Sequence, residues 1–174
     1  LLGAKLGAHY KGKIIMISSV SGKRSFPFVS PYTASKHALE AFSDSLRREM
    51  MLYGIDVVII EPGVIATPIF NKTPVHYDKQ SPYRQAMRQG GRFYKSSIPH
   101  ATPAHELANT IWDSITTDQP QLRWLHGYGE SLVKRRPNVS DEDYIAISSF
   151  NDNAYNTRFE ELFAMDLGQK IPER

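Results

Sequence analysis

At 174 residues, 41% of them hydrophobic, the chain is long enough to form one domain with a buried core. Its net charge of +3 comes from interspersed acids and bases, which excludes the concentrated basic footprint of a nucleic-acid binder. The absence of cysteine excludes disulfides and thiolate chemistry and fits a reducing, cytoplasmic setting; no apolar run reaches membrane-spanning length.

Leu1 to Tyr10 contains no initiator Met and reads as the last turns of a helix running through Lys11 and Gly12 into a strand. Residues 13–19, rich in Ile, predict a short strand buried on both faces. Residues 20–30 read as a loop, with Ser30 as a helix cap and Pro31 at the first helical position. Leu39, Phe42, Leu46, Met50 and Tyr53 recur at helical spacing, and Gly54 ends that helix. Residues 55–60 predict a second strand closed by Glu61-Pro62-Gly63. Residues 64–101 are broken by prolines and read as irregular. Thr102 and Pro103 start a helix carrying Leu107, Ile111 and Ile115, with Pro120 closing the segment. Residues 121–126 predict a third strand, stopped by Gly127. Ser140 to Asp143 forms a capping box, and Phe159, Leu162 and Phe163 mark a last amphipathic helix.

Strands alternating with helices predict parallel βαβ units in an open, doubly wound α/β sheet. Ligands of such sheets sit outside the carboxyl ends of the strands. Ser18, Ser19, Pro62 and Gly63 fall at those ends. Tyr32 reaches the same edge if the loop at 20–31 doubles back.

The chemistry centres on Tyr32-Thr33-Ala34-Ser35-Lys36. A Tyr and a Lys at i and i+4 lie on one helix face, where the ammonium favours the phenolate. Such a pair is a general acid/base for an alcohol oxygen. Alone it equally describes a Tyr packed under a solvated Lys. Ser19 thirteen residues upstream and the Pro62-Gly63 turn at the next strand end favour the chemical reading. Ser18 and Ser21 read as backbone partners, and the six His show no metal-ligand spacing.

Residues 12–22, Pro31 to Lys36, Ser43 to Glu49, Tyr53 to Gly63, and Thr67-Pro68 together resemble the C-terminal half of a short-chain dehydrogenase/reductase. In tone they are closest to the branch of retinol, hydroxysteroid and hydroxybutyrate dehydrogenases. The resemblance is strong over 12–68, weaker to 127, and absent beyond. It implies the C-terminal portion of a Rossmann-like parallel sheet with flanking helices. It implies an NAD- or NADP-dependent oxidoreductase interconverting an alcohol and a ketone or aldehyde, with a lipophilic substrate. Tyr32 would exchange the proton, Lys36 would support it and hold the nicotinamide ribose, and Ser19 would bond the substrate oxygen. Pro62 and Gly63 would let the backbone approach the nicotinamide, and Val64 and Thr67 would hold its carboxamide end. Residues 64–101 would be a substrate lid and 128–174 a C-terminal extension. In the lid, Tyr77, Tyr83, Met87, Phe93 and Tyr94 alternate with Arg84, Arg88 and Arg92, which also describes an amphipathic surface helix. The Leu39–Met50 stripe reads as core or as the four-helix dimer interface of a homodimer or homotetramer.

The departures are specific. No glycine-rich phosphate-binding turn, no Asn-Ala-Gly segment and no helical Asn of a proton relay matches anywhere in the chain. Residues 1–174 are therefore expected to be a single partial domain without the dinucleotide-binding half, its first strand leaving an apolar edge unpaired. The rival expectation is a non-catalytic fragment or interaction module on the same scaffold.

Overall fold

The computed structural model describes residues 12–72 and 80–167. The helix expected before Tyr10, and Tyr77, lie outside the described residues. The organising element is β2 (Ile55–Pro62), whose Val57, Val58, Ile59 and Ile60 are wholly buried. A run of β-branched residues fits a strand covered on both faces and paired on both edges. β1 (Gly12–Ile17) pairs with it in parallel, Ile17 opposite Ile60. The last strand of this sheet, Arg123–His126, pairs in parallel on the other side, Pro62 opposite His126. All three strands therefore end on one edge, as the alternation predicts.

Parallel neighbours need long crossovers. The first is α1 (Ser30–Met51), which packs on β2. The second holds β3 (Ile65–Ala66), α2 (Ile69–Lys72), α3 (Arg84–Ser97), β4 (Thr102–Pro103) and α4 (Ala104–Thr116) before β5 (Arg123–His126). β3 and β4 form a separate parallel pair. After β5 come α5 (Glu130–Arg135), α6 (Asp141–Ala146) and α7 (Asp152–Phe163).

Several expectations shift. β1 ends at Ile17, before Ser18 and Ser19, and is only half-buried because it lies at the edge of the described sheet. Ser30 is the first residue of α1 rather than its cap; Val29 precedes it and offers no side-chain bond, while Pro31 sits in the first turn. Gly54 adopts the left-handed conformation (φ +66°) that a helix-ending glycine permits. The apolar stripe of α1 is not core: Thr33, Glu40 and Ser43 face inward, while Phe42 is 56% exposed. Polar contacts to the strand ends, described below, decide which face turns in. Residues 64–101 are not irregular throughout, since α3 spans fourteen of them. It matches the amphipathic helix that the Arg84, Arg88 and Arg92 spacing allows, despite Gly90-Gly91, and tertiary contacts hold it: Arg92 and Arg88 bond Asp152 of α7 at 2.9 and 2.7 Å. Pro103 belongs to β4, and α4 begins one residue later. Ser140 caps α6 as expected, accepting from the Asp143 N–H.

The residues after Gly127 build a hydrophobic core of their own. Leu132, Val139, Ile147, Tyr155, Phe159 and Phe163 pack together with Phe93 of α3. Phe26, from the loop before α1, stacks on the same cluster, 4.5 Å from Phe93 between ring centroids. The C-terminal helices thus clamp α3 against the loop that connects Ser19 to Tyr32.

Candidate active site

Ser19 follows β1 and precedes a 3-10 turn at Val20–Gly22. Its Oγ accepts from the Ser21 N–H at 3.1 Å and lies 3.5 Å from the Pro62 carbonyl, to which it donates. A buried hydroxyl so placed ties the end of β1 to the end of β2. Ser18 lies beside it, its N–H donating to the Ile60 carbonyl at 2.8 Å.

Lys36 reaches back from α1 to the same edge. Its Nζ donates to the Ile17 carbonyl at 2.9 Å and stands 5.7 Å from the centre of the Tyr32 ring. The loop does double back, so one ammonium joins the end of β1 to the helix turn carrying the phenol. Tyr32 is 46% exposed and so accessible to a ligand. An ammonium has three donors, so the Ile17 bond leaves Lys36 capacity for another partner.

The remaining predicted residues follow a different path. The Gly63 N–H donates to the His126 carbonyl, and Val64 donates to the Tyr128 carbonyl, each at 2.9 Å. The Val64 carbonyl accepts from the Thr102 N–H at 2.9 Å. Both backbone groups of Val64 are therefore engaged within the chain. Thr67 is exposed beyond β3. Ser19 thus meets Pro62, Lys36 stands beside Tyr32 at the end of β1, and Gly63 and Val64 are directed toward the turn at Gly127–Gly129. Tyr128, which holds that turn against Val64 and stacks on His100 at 5.3 Å, carried no recognisable sequence signal.

A buried carboxyl pair lies behind these residues. Glu40 follows Lys36 by one turn on the inner face of α1, and Glu61 directly precedes Pro62. Lys23 Nζ is 3.0 Å from Glu40 Oε2 and 3.8 Å from Glu61 Oε1. Arg123 Nε is 3.0 Å from Glu40 and 3.3 Å from Glu61, and its guanidinium also bonds Asp44. The sequence clue is a Glu inside an apolar strand, Ile-Asp-Val-Val-Ile-Ile-Glu. Burial, then the neighbouring Glu40 carboxylate, pushes the Glu61 carboxyl up to about 7 from 4.5, against the opposing pull of Lys23 and Arg123.

This has a pH consequence. The folded state retains the Glu61 proton where the unfolded chain has released it. The associated stability is complete below the unfolded value and is lost as pH rises through about 7. Glu61→Gln, neutral throughout, is expected to flatten the fall in melting temperature between acid and neutral pH, a difference of roughly 3 kcal/mol at most. Parallel melting curves for the two proteins across that range would show Glu61 uninvolved.

A doubly wound parallel sheet with Ser, Tyr and Lys gathered at its carboxyl edge defines a dinucleotide-type α/β domain. Residues 3–78 match the family described as short chain dehydrogenase. The NADPH-dependent 3-dehydrocapnine reductase of Ornithobacterium rhinotracheale is 37% identical over 127 residues, covering 72% of this chain and 45% of that protein. Dehydrogenase/reductase SDR family member 7B of Xenopus tropicalis is 58% identical over 57 residues, which are 33% of this chain and 18% of that protein. Among solved structures, a short-chain dehydrogenase from Streptomyces avermitilis superposes with a TM-score of 0.59 at 26% identity, over 80% of this chain and 53% of that one. The chain belongs to the short-chain dehydrogenase/reductase family. It spans about half the length of the curated relatives it matches. No helix among the described residues is long and apolar enough to cross a membrane.

Proposed function

We propose that this chain carries the proton-transfer half of an NAD(P)-dependent oxidoreductase that interconverts an alcohol and a ketone or aldehyde. One observation carries the reading. Lys36 grips the end of β1 while Ser19 grips the end of β2, with the exposed Tyr32 one turn before Lys36. Tyr32 gives its phenolic proton to the carbonyl oxygen, or takes one from the alcohol. Lys36 favours the charged phenolate left behind. Ser19 turns its hydroxyl from the Pro62 carbonyl, 3.5 Å away, to the same oxygen and orients it.

The residues present fit the nicotinamide-ribose end of a dinucleotide. Lys36 has donors for ribose hydroxyls, and the Pro62-Gly63 backbone lies at the edge where such a ring sits. With its backbone engaged, Val64 would only pack its apolar side chain against the nicotinamide ring, and Thr67 would bond the carboxamide through its exposed hydroxyl. The described residues offer no glycine-rich turn for the pyrophosphate. When bound, the cofactor supplies or accepts the hydride. The related Burkholderia phymatum enzyme was solved in complex with NAD and a Burkholderia cenocepacia one with NADP.

An apolar rim supports a lipophilic substrate: Phe28 and Tyr83 stack edge to face at 5.8 Å, both more than half exposed. Residues 64–101 then act as the lid, with α3 as its rigid part. Phe42 on α1 and Trp112 on α4, 56% and 65% exposed, suit a helical interface in a homodimer or homotetramer.

The test is consumption of reduced nicotinamide by the whole protein containing this chain, presented with apolar ketones and aldehydes. Turnover is expected with at least one of them, and Ser19→Ala should lower kcat by roughly a hundredfold. Full activity in Ser19→Ala would overturn the assignment of the oxygen-binding role.

A further inference from the structure

Among the described residues, Arg24 is a buried cation without an anion. It lies in the loop between Ser19 and Tyr32 and is 4% exposed. Its guanidinium carbon sits 3.6 Å from the Phe26 ring centre and 5.1 Å from that of Phe93. The Nε and Nη1 groups have no hydrogen-bond partner. The groups facing it electrostatically are phenols, Tyr144, Tyr94 and Tyr155, with no carboxylate among them. Burial pulls its pKa down to about 10, so the side chain remains charged at neutral pH. Stacking on two rings offsets part of the desolvation, but an ion taken out of water without a counter-ion is costly, and unsatisfied buried donors are rare. A leucine or methionine would fill the same space among these aromatics.

The position of Arg24 suggests its use. Tyr94 of α3 packs edge to face on Phe93, 5.4 Å between ring centres, the same ring that Arg24 faces at 5.1 Å, and the charges of Arg24 and Tyr32 both act on its phenol. Tyr94 is 37% exposed. Phe28, nearby in sequence, is held in the left-handed region at φ 67°, unusual for a bulky residue and common where a loop is shaped for a ligand.

We propose that Arg24 is the anion-recognition residue of the substrate cleft, so that the substrate joins an apolar chain to a carboxylate or phosphate group. This rests on the oxidoreductase reading for the location of the reacting carbonyl, but its test is a binding measurement that needs no turnover. An oxygen of the anion accepts from an unpartnered guanidinium N–H, and Tyr94 moves aside to admit it. The aromatic rings around Arg24 receive the adjoining apolar chain.

The experiment compares octanoate, octyl phosphate and octanol, below micelle-forming concentrations, by their effect on the melting temperature of the protein. One of the two anions is expected to raise it well above octanol at equal concentration, and which of them does so separates carboxylate from phosphate. In Arg24→Met the anion's affinity should fall by roughly tenfold to a hundredfold, with the octanol response unchanged. Arg24→Lys, which keeps the charge, should retain an intermediate preference. Arg48→Ala removes an exposed charge from the last turn of α1 and should change nothing. Equal responses to anions and alcohol in the unmodified protein would overturn the proposal even if Arg24→Met fails to fold. So would an anion preference that survives in Arg24→Met or disappears in Arg48→Ala. Loss of turnover in Tyr32→Phe with the anion preference intact would separate the two readings.

Discussion

Tyr32→Phe is expected to reduce turnover in the whole protein by a factor of 10² to 10⁴, the range that a positioned general acid contributes. The substitution removes one hydroxyl from a side chain that is 46% exposed. It should leave the melting temperature within the scatter of ordinary surface changes, about 0.5 kcal/mol. Lys36 keeps its bond to the Ile17 carbonyl at 2.9 Å, so the ends of β1 and α1 stay joined and dinucleotide affinity should be preserved. The expected pattern is thus a fall in kcat without a matching loss of cofactor binding, as for an interaction made in the transition state. Near-normal turnover would sink the proton-transfer assignment. A parallel loss of stability would show instead that the phenol holds the fold. A change in pH dependence should accompany the loss, because Tyr32 is the proposed proton donor.

What the sequence revealed and what it hid follow a physical division. β2 was legible because Val57 to Ile60 carry their burial in their own chemistry. Tyr32 and Lys36 were legible because a helix brings i and i+4 together without tertiary help. Ser19 was legible only through its spacing, since nothing local says that a hydroxyl will meet the Pro62 carbonyl. α3 was legible only as one of two readings, because its support comes from Asp152, about sixty positions away, and from packing on Phe159. The orientation of α1 stayed open between core and interface because the pattern shows an amphipathic stripe but not which face the sheet takes. Glu40, buried by its ion contacts to Lys23 and Arg123, fixes that choice. Long-range electrostatics and the packing of residues 128–167 are non-local, and no periodicity records them.

Gly63 shows the same division at a single residue, with a large expected effect. Its sequence context suggests a glycine needed for close approach of a nicotinamide. The structure supplies a nearer neighbour: a Cβ at Gly63 would stand 1.8 Å from the Tyr128 carbonyl oxygen. That atom is backbone, so no rotamer change relieves the clash. The same carbonyl accepts the Val64 N–H bond, so it cannot retreat without breaking the bridge that holds the Gly127–Gly129 turn. Gly63→Ala is therefore expected to cost roughly 3 kcal/mol or more, on the order of 10 °C in melting temperature. Gly90→Ala provides the opposite sign. An added methyl there meets nothing within 4 Å in the middle of α3, and stability should rise by up to about 1 kcal/mol. A cofactor-clearance role alone predicts that Gly63→Ala melts like the unmodified protein and loses only dinucleotide affinity. A steric role against Tyr128 predicts the loss of stability with no cofactor present. Thermal melting of the ligand-free variants distinguishes the two, and an unchanged melting temperature for Gly63→Ala would return this glycine to the cofactor.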